Sequence, residues 1–122
     1  MMRFLLFAFL CLSFSTSAYA DRFDIVAKVK RIRFHEPSQT LTSPSWQSAG
    51  WFSYERISGS AAPTTAHCRQ IGGEFAVAFG PNNSQLLAMI MTAKTAGLEV
   101  KITFDSNQKH VDFCRVQYFT FQ

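Results

Sequence analysis

Residues 21–34, DRFDIVAKVKRIRF, alternate apolar and polar side chains and then change phase. Phe23, Ile25, Ala27 and Val29 share one parity, whereas Ile32 and Phe34 share the other. A period of two marks a strand with one buried face. The flip at Lys30–Arg31 requires one extra residue, a β-bulge, if both apolar sets are to face the same core. A long strand bent in this way turns a corner in a small barrel, so the first fourteen of these residues already favour a closed sheet over a flat one.

The remaining chain is read in the same terms. Residues 35–47, HEPSQTLTSPSWQ, carry two prolines and many hydroxyl side chains and form a loop. Residues 49–57, AGWFSYERI, make a second strand with aromatic residues on both faces, followed by a turn over 58–65. Residues 66–71 and 74–79 flank Gly72-Gly73 and read either as one bulged strand or as a tight hairpin. Residues 98–104 alternate again, 105–110 (DSNQKH) read as a turn, and 111–121 form the last strand.

Between them, residues 80–97, GPNNSQLLAMIMTAKTAG, are helical in pattern. Asn82 is placed to cap the start, with Gln85 three residues on, and Gly97 to cap the end. Asn82-Asn83-Ser84 also matches a glycosylation sequon, but at a helix start the capping role is preferred. Leu86, Met89, Ile90, Ala93 and Gly97 form one stripe facing the sheet. Leu87 and Met91 make a second apolar flank about 100° round the helix. A neighbouring loop or another subunit would cover that flank, which makes the two residues candidates for an oligomer interface. The fold class expected is mainly β with one helix: a five-stranded OB-like barrel with its helix between strands three and four.

The first twenty residues stand apart. Met1-Met2-Arg3 precedes the apolar run FLLFAFLCL, and SFSTSAYA ends in Ala18-Tyr19-Ala20. This is the layout of a secretory leader cleaved after Ala20, and the run is too short to span a bilayer. The expected product is a secreted or periplasmic single domain, residues 21–122, without stable membrane insertion. Cys11 leaves with the leader. Cys68 and Cys114 are then an even pair in an exported chain, which implies a disulfide between them. Without Arg3 the chain holds eleven Lys/Arg against eight Asp/Glu. That mild excess permits an anionic partner without requiring one, and export argues against nucleic acid.

No reactive constellation is legible. His35-Glu36 lacks the second histidine of a zinc helix, no Cys-x-x-Cys occurs, and phosphate-loop and dinucleotide motifs are missing. The sequence therefore predicts no enzyme, no metal and no cofactor. Two clusters carry binding potential. Lys28, Lys30, Arg31 and Arg33 oppose the apolar parity on both sides of the bulge, as a solvated edge or an anion-binding stripe. Trp46, Trp51, Phe52, Tyr54 and Arg56 read as a two-sided core strand, as interface anchors or as a sugar platform. The ligand-binding candidates are Trp46, Trp51, Tyr54, Arg56 and Lys30.

The helix LLAMIMTAKTAG, the strand LEVKITF and the last strand DFCRVQYFTF together resemble the B-subunit family of subtilase-cytotoxin and pertussis-like toxins, small exported OB-fold proteins. The pattern matched is Ala93-x-x-x-Gly97, Val100-x-Ile102 and Cys114-x-Val116, with Cys68 in the place of the other bridging cysteine. It covers about residues 66–122; the first half matches in strand order alone. The resemblance implies an OB-type barrel assembled as a homo-oligomer, often a pentamer, whose helices line a central pore. It also implies a glycan ligand on a host surface and a catalytic A subunit as partner. The family's glycan contacts lie in the N-terminal half, so no family site is carried onto this chain. Without them the chain reads as an exported structural or protein-interaction module.

Overall fold

The computed structural model describes residues 21–36, 46, 48–81 and 83–122. The expected leader, residues 1–20, and the expected cap Asn82 lie outside the described residues. Six strands and one helix follow in the order β1 (Arg22–Phe34), β2 (Gly50–Gly59), β3 (Gln70–Ile71), β4 (Glu74–Phe79), α1 (Ser84–Ala96), β5 (Glu99–His110) and β6 (Phe113–Phe121). β1 pairs with β2 and β5, β2 with β4, and β5 with β6, all antiparallel. A parallel contact between Ala78 and Arg115 joins β4 to β6 and closes the ring. This is a five-stranded barrel with OB-like strand order. Gly72 and Gly73 turn back at positive φ and add β3 as a short hairpin arm outside the closure. Because of that arm the helix follows the fourth strand in chain order, and the third of the strands that close the barrel.

The phase flip in β1 is a bulge at Lys30, where the β1–β2 register shifts between Val29 and Arg31. Phe23, Ile25, Ala27 and Val29 are buried before it, and Ile32 packs against the same core after it. Two contacts fix the bulge. The Ser53 hydroxyl accepts from the Arg31 N–H at 3.2 Å, and the Lys94 ammonium of α1 donates to the Lys30 carbonyl. A second shift lies between Val26 and Ala27. The loop re-enters the sheet at Gly50, where a Cβ would stand 2.1 Å from the Arg33 carbonyl oxygen and 2.6 Å from the Phe79 ring.

Phe52, Tyr54, Val77, Phe79, Val100, Ile102 and Phe104 fill the barrel, and Ile90 and Ala93 of α1 close it with Leu86 and Leu87 beside them. Each large apolar side chain so buried contributes roughly 1.5–3 kcal/mol. The helix is capped by Asn83, whose side-chain oxygen accepts from Leu86 N–H at 3.1 Å, so the cap sits one residue after the expected Asn82 and Gln85 has no part in a capping box. Gly97 ends the helix at φ 64°, with Leu98 N–H donating to Ala93 O, a left-handed C-cap. Gly97 itself is exposed and extends no buried stripe.

Two other expectations are corrected. Residues 66–71 are not a full strand: His67 and Cys68 donate back to Thr64 O in a helical turn, and only Gln70–Ile71 pair. Residues 105–110 are not the turn. β5 runs on to His110, the Asp105 carboxylate accepts from the N–H groups of Asn107 and Gln108, and the chain reverses at Val111 and Asp112 with φ of 48° and 69°. Cys68 and Cys114 are bridged, with Cα atoms 5.1 Å apart, and both are buried in the core. No described helix is long and apolar enough to cross a membrane.

Candidate functional site

Directly paired residues on neighbouring strands point to the same side of a sheet. Arg33 pairs with Trp51, Trp51 with Ala78, and Ala78 with Arg115, so one row crosses four strands. Arg31, Ser53 and Ala76 form the next row. Phe52 and Tyr54, of opposite parity, lie inside the barrel, so both rows lie outside it. The two small side chains on β4 leave space for rings. Trp51, Ala76, Ala78 and Phe113 form a second apolar cluster with Trp46 and Ile71 packed against it, separate from the barrel core. Trp51 and Phe113 lie parallel with centroids 6.4 Å apart, and Trp46 meets Phe113 edge-on at 5.7 Å.

Cations cap these rings. The guanidinium groups of Arg31 and Arg33 lie 6.0 and 5.9 Å from the Trp51 centroid, and that of Arg69 lies 5.3 Å from Phe113. Ring quadrupoles attract such groups and hold their planes without removing their N–H donors. Arg31 and Lys30 share the Glu74 carboxylate at 3.0 and 3.4 Å. A hydrogen bond from Ser53 and the neighbouring Arg31 and Lys30 hold that carboxyl below the usual carboxylate range. Arg33, Arg69 and Arg115 have no carboxylate partner among the described residues, which include every Asp and Glu of the chain. An open groove of about 340 Å³ is lined by Arg31, Ile32, Arg33, Trp51 and Ile71.

The edge of the platform comes from the two loops that border an OB face. Trp46, in the β1–β2 loop, stacks on His35 at 5.2 Å and meets His110 at 4.8 Å, near the β5–β6 turn. Burial and the nearby Arg33 push the His35 pKa down. His110 Nε2 is buried with no partner among the described residues.

The five sequence candidates therefore separate. Trp46 and Trp51 meet in the outer cluster, and Lys30 lies at its border. Tyr54 is buried inside the barrel against Phe75 and Phe104, its hydroxyl without a partner among the described residues and its pKa raised by desolvation. It presents nothing at the surface. Arg56 donates to the carbonyls of Gly59 and Ser60 at 2.7 and 2.8 Å and holds its own turn. Arg69, Phe113 and His110 join the site although no local pattern marks them: β4–β6 pairing brings β6 to the outer face, His110 pairs with Phe113 across the β5–β6 hairpin, and the Arg69 N–H donates to the Asp112 carbonyl. Leu87 packs against the barrel core, whereas Met91 is 53% exposed and lines a groove of about 490 Å³ with Ile32, Phe34, Leu87, Lys94 and Thr95.

Compared with family models, curated proteins and solved structures, the chain matches none. The chemistry must be read from the side chains. His67 touches Asp21 at 2.6 Å and the Thr64 hydroxyl at 2.9 Å. Thr64 also directs its own N–H at the same ring nitrogen, so the contact closes the turn before the disulfide. Among the described residues no group of three His, Cys, Asp or Glu is placed to hold a metal ion. What the outer face offers is a rim of partly exposed Trp46 over the buried Trp51 and Phe113, with guanidinium groups that have no carboxylate partner among the described residues, an arrangement that binds planar or anionic ligands.

Proposed function

We propose that the protein is an exported, non-enzymatic binding subunit, similar in kind to the toxin B subunits, that recognises glycans on a host surface. The observation that carries this reading is the position of the Trp51–Phe113–Trp46 platform with its arginines. It occupies the outer face of β1, β2 and β4 between the first loop and the β5–β6 turn, where OB barrels bind oligosaccharides and oligonucleotides. The apolar leader and the buried disulfide support export and argue for a carbohydrate rather than a nucleic acid. Sugar rings stack on indole faces, for which the partly exposed Trp46 is available at the rim, and guanidinium groups then select an acidic or hydroxyl substituent. A glycan array probed with purified protein tests the reading: retention on a defined set of glycans supports it, and a blank array refutes it.

A second observation favours assembly. Met91 and Phe34 are exposed beside Ile32 and Leu87 on one side of the helix, and exposed apolar grooves of this kind serve as protein interfaces. We assign this face to contact between copies of the chain in a homo-oligomeric ring, with an A subunit as a further partner. If the array is blank and the oligomer forms, the chain is an exported protein-interaction module instead.

A further inference from the structure

The groove between Arg31 and Arg33 carries more specific chemistry than a general preference for sugars. Arg31 and Arg33 line it, Lys30 borders it through the Glu74 carboxylate that it shares with Arg31, and Glu74 is the one carboxylate in contact with these three cations. Three positive charges face one negative charge, leaving an excess of two. The tally is complete for carboxylates, because every Asp and Glu of the sequence is among the described residues. A carboxylate or a sulfate monoester carries one negative charge and would leave this excess half neutralised. A phosphate monoester carries −1.5 to −2 at neutral pH and matches it.

Geometry points the same way. Arg31 and Arg33 stand two residues apart on β1, and both guanidinium groups rest on the one Trp51 ring. The Arg31 guanidinium also lies beside the Gly72 turn, 3.8 Å from where a Cβ would be. Both guanidinium groups line the same groove, and such planar forks bind phosphate oxygens in pairs. Trp51 and Ile71 wall the groove with apolar surface, which lowers the local dielectric and strengthens the charge contact.

We propose that the Arg31–Arg33 groove recognises a phosphate monoester, with Ile71 and the exposed margin of Trp51 packing on the carbon skeleton that bears it. The inference rests on the same binding face as the glycan reading, and names the group that face selects. The chemistry is shared by a phosphorylated sugar and by a monophosphate lipid headgroup.

The test is a calorimetric titration of the purified protein with glucose 6-phosphate, glucose 6-sulfate and glucuronate at pH 7.5 and 5.5. A parallel arm uses phosphatidylcholine vesicles with and without phosphatidic acid. At pH 7.5 the phosphate binds at least tenfold more tightly than the sulfate or the carboxylate. The advantage over sulfate shrinks at pH 5.5, as the phosphate takes up its second proton near pH 6. The protein groups facing the site are His35, Lys30, Arg31, Arg33 and Glu74. Protonation of His35 on acidification would favour any anion, and the sulfate, whose charge is fixed, reports that contribution alone. Arg33→Gln reduces phosphate affinity at least tenfold, and Arg33→Lys by less. Lys101→Gln, which removes the same charge from β5, changes it less than twofold. Equal affinity for the three acids at pH 7.5, or equal losses in the Arg33 and Lys101 variants, overturns the inference. Binding of sugar phosphate alone assigns the site to a phosphorylated glycan, and binding of phosphatidic acid vesicles alone assigns it to a lipid headgroup. Array retention without preference for phosphate overturns the inference and leaves the glycan reading standing. Phosphate binding with a blank array does the reverse.

Discussion

Replacing both Cys68 and Cys114 by alanine removes the one covalent tie between the turn before β3 and the start of β6. The bridge spans a sequence separation of 46, and closing a loop of that length lowers the entropy of the unfolded chain by about 4 kcal/mol at 25 °C. Stability of a domain of this size is roughly 5–15 kcal/mol, so the loss takes away a large share of it. With 4–8 °C lost for each kcal/mol in a domain near 100 residues, the melting temperature falls by about 15–30 °C. Alanine is preferred to serine because both sulfurs are buried, and a buried hydroxyl without a partner would add its own cost of about 1–3 kcal/mol. Urea unfolding followed by tryptophan fluorescence measures the difference, with reduced wild-type protein as a second comparison. A drop below about 1 kcal/mol would refute the reasoning, since it would mean that the unfolded chain gains little freedom when the bridge opens.

Other variants address single contacts. Tyr54→Phe removes a buried hydroxyl that has no partner among the described residues. Its unfolding free energy in urea is expected to hold or rise by about 1 kcal/mol, and a loss of that size would show that the hydroxyl is bonded. The same residue gives a pH signature. Its folded pKa is raised by desolvation, so the unfolded state loses the proton first and stability falls as pH climbs above about 10; thermal melts that stay level through that range would contradict the burial. Asn83→Ala removes the helix cap and lowers stability by about 1 kcal/mol, measured by the same denaturation. Leu87→Gln is expected to destabilise the fold, because Leu87 packs on the barrel, whereas Met91→Lys leaves the melt unchanged and shifts sedimentation toward monomer. A monomeric wild type, or a Met91 variant that unfolds, would dismiss the assembly face.

Local patterns were legible wherever one residue decided the geometry. The parity change at Lys30 marked the bulge, and Gly97 marked the end of the helix, because each breaks a period in a way that only one backbone conformation accommodates. The cysteine pair was legible because, with Cys11 assigned to the expected leader, one pairing remained. The turn at Val111–Asp112 was hidden. A β-branched residue at φ 48° is the least expected occupant of a hairpin turn, while the preceding DSNQKH has turn-like composition. There, the Asp105 carboxylate and the side chain of Gln117 at 2.6 Å organise a bulge within the strand. The site divided in the same manner. Trp51 and Tyr54 are neighbours in sequence but lie on opposite sides of the barrel wall. Aromatic residues on both faces of β2, Trp51 on one and Phe52 and Tyr54 on the other, give no local sign of which side is inside. That choice is made by β4, whose Val77 and Phe79 face inward while Ala76 and Ala78 face outward and leave space for the rings. Phe113 entered the site through strand pairing, and Arg69 through its N–H to the Asp112 carbonyl beside the disulfide; no local window contains either contact.

The central claim is that the outer aromatic face, and no other surface, holds the ligand. The most direct measurement is a glycan array probed in parallel with wild-type protein and with Trp46→Ala, using the thermal melt of each as a control for folding. The account predicts a defined set of retained glycans for the wild type and their loss in the variant while its melt persists. A blank array for the wild type, or the same pattern from a folded Trp46→Ala protein, would contradict it.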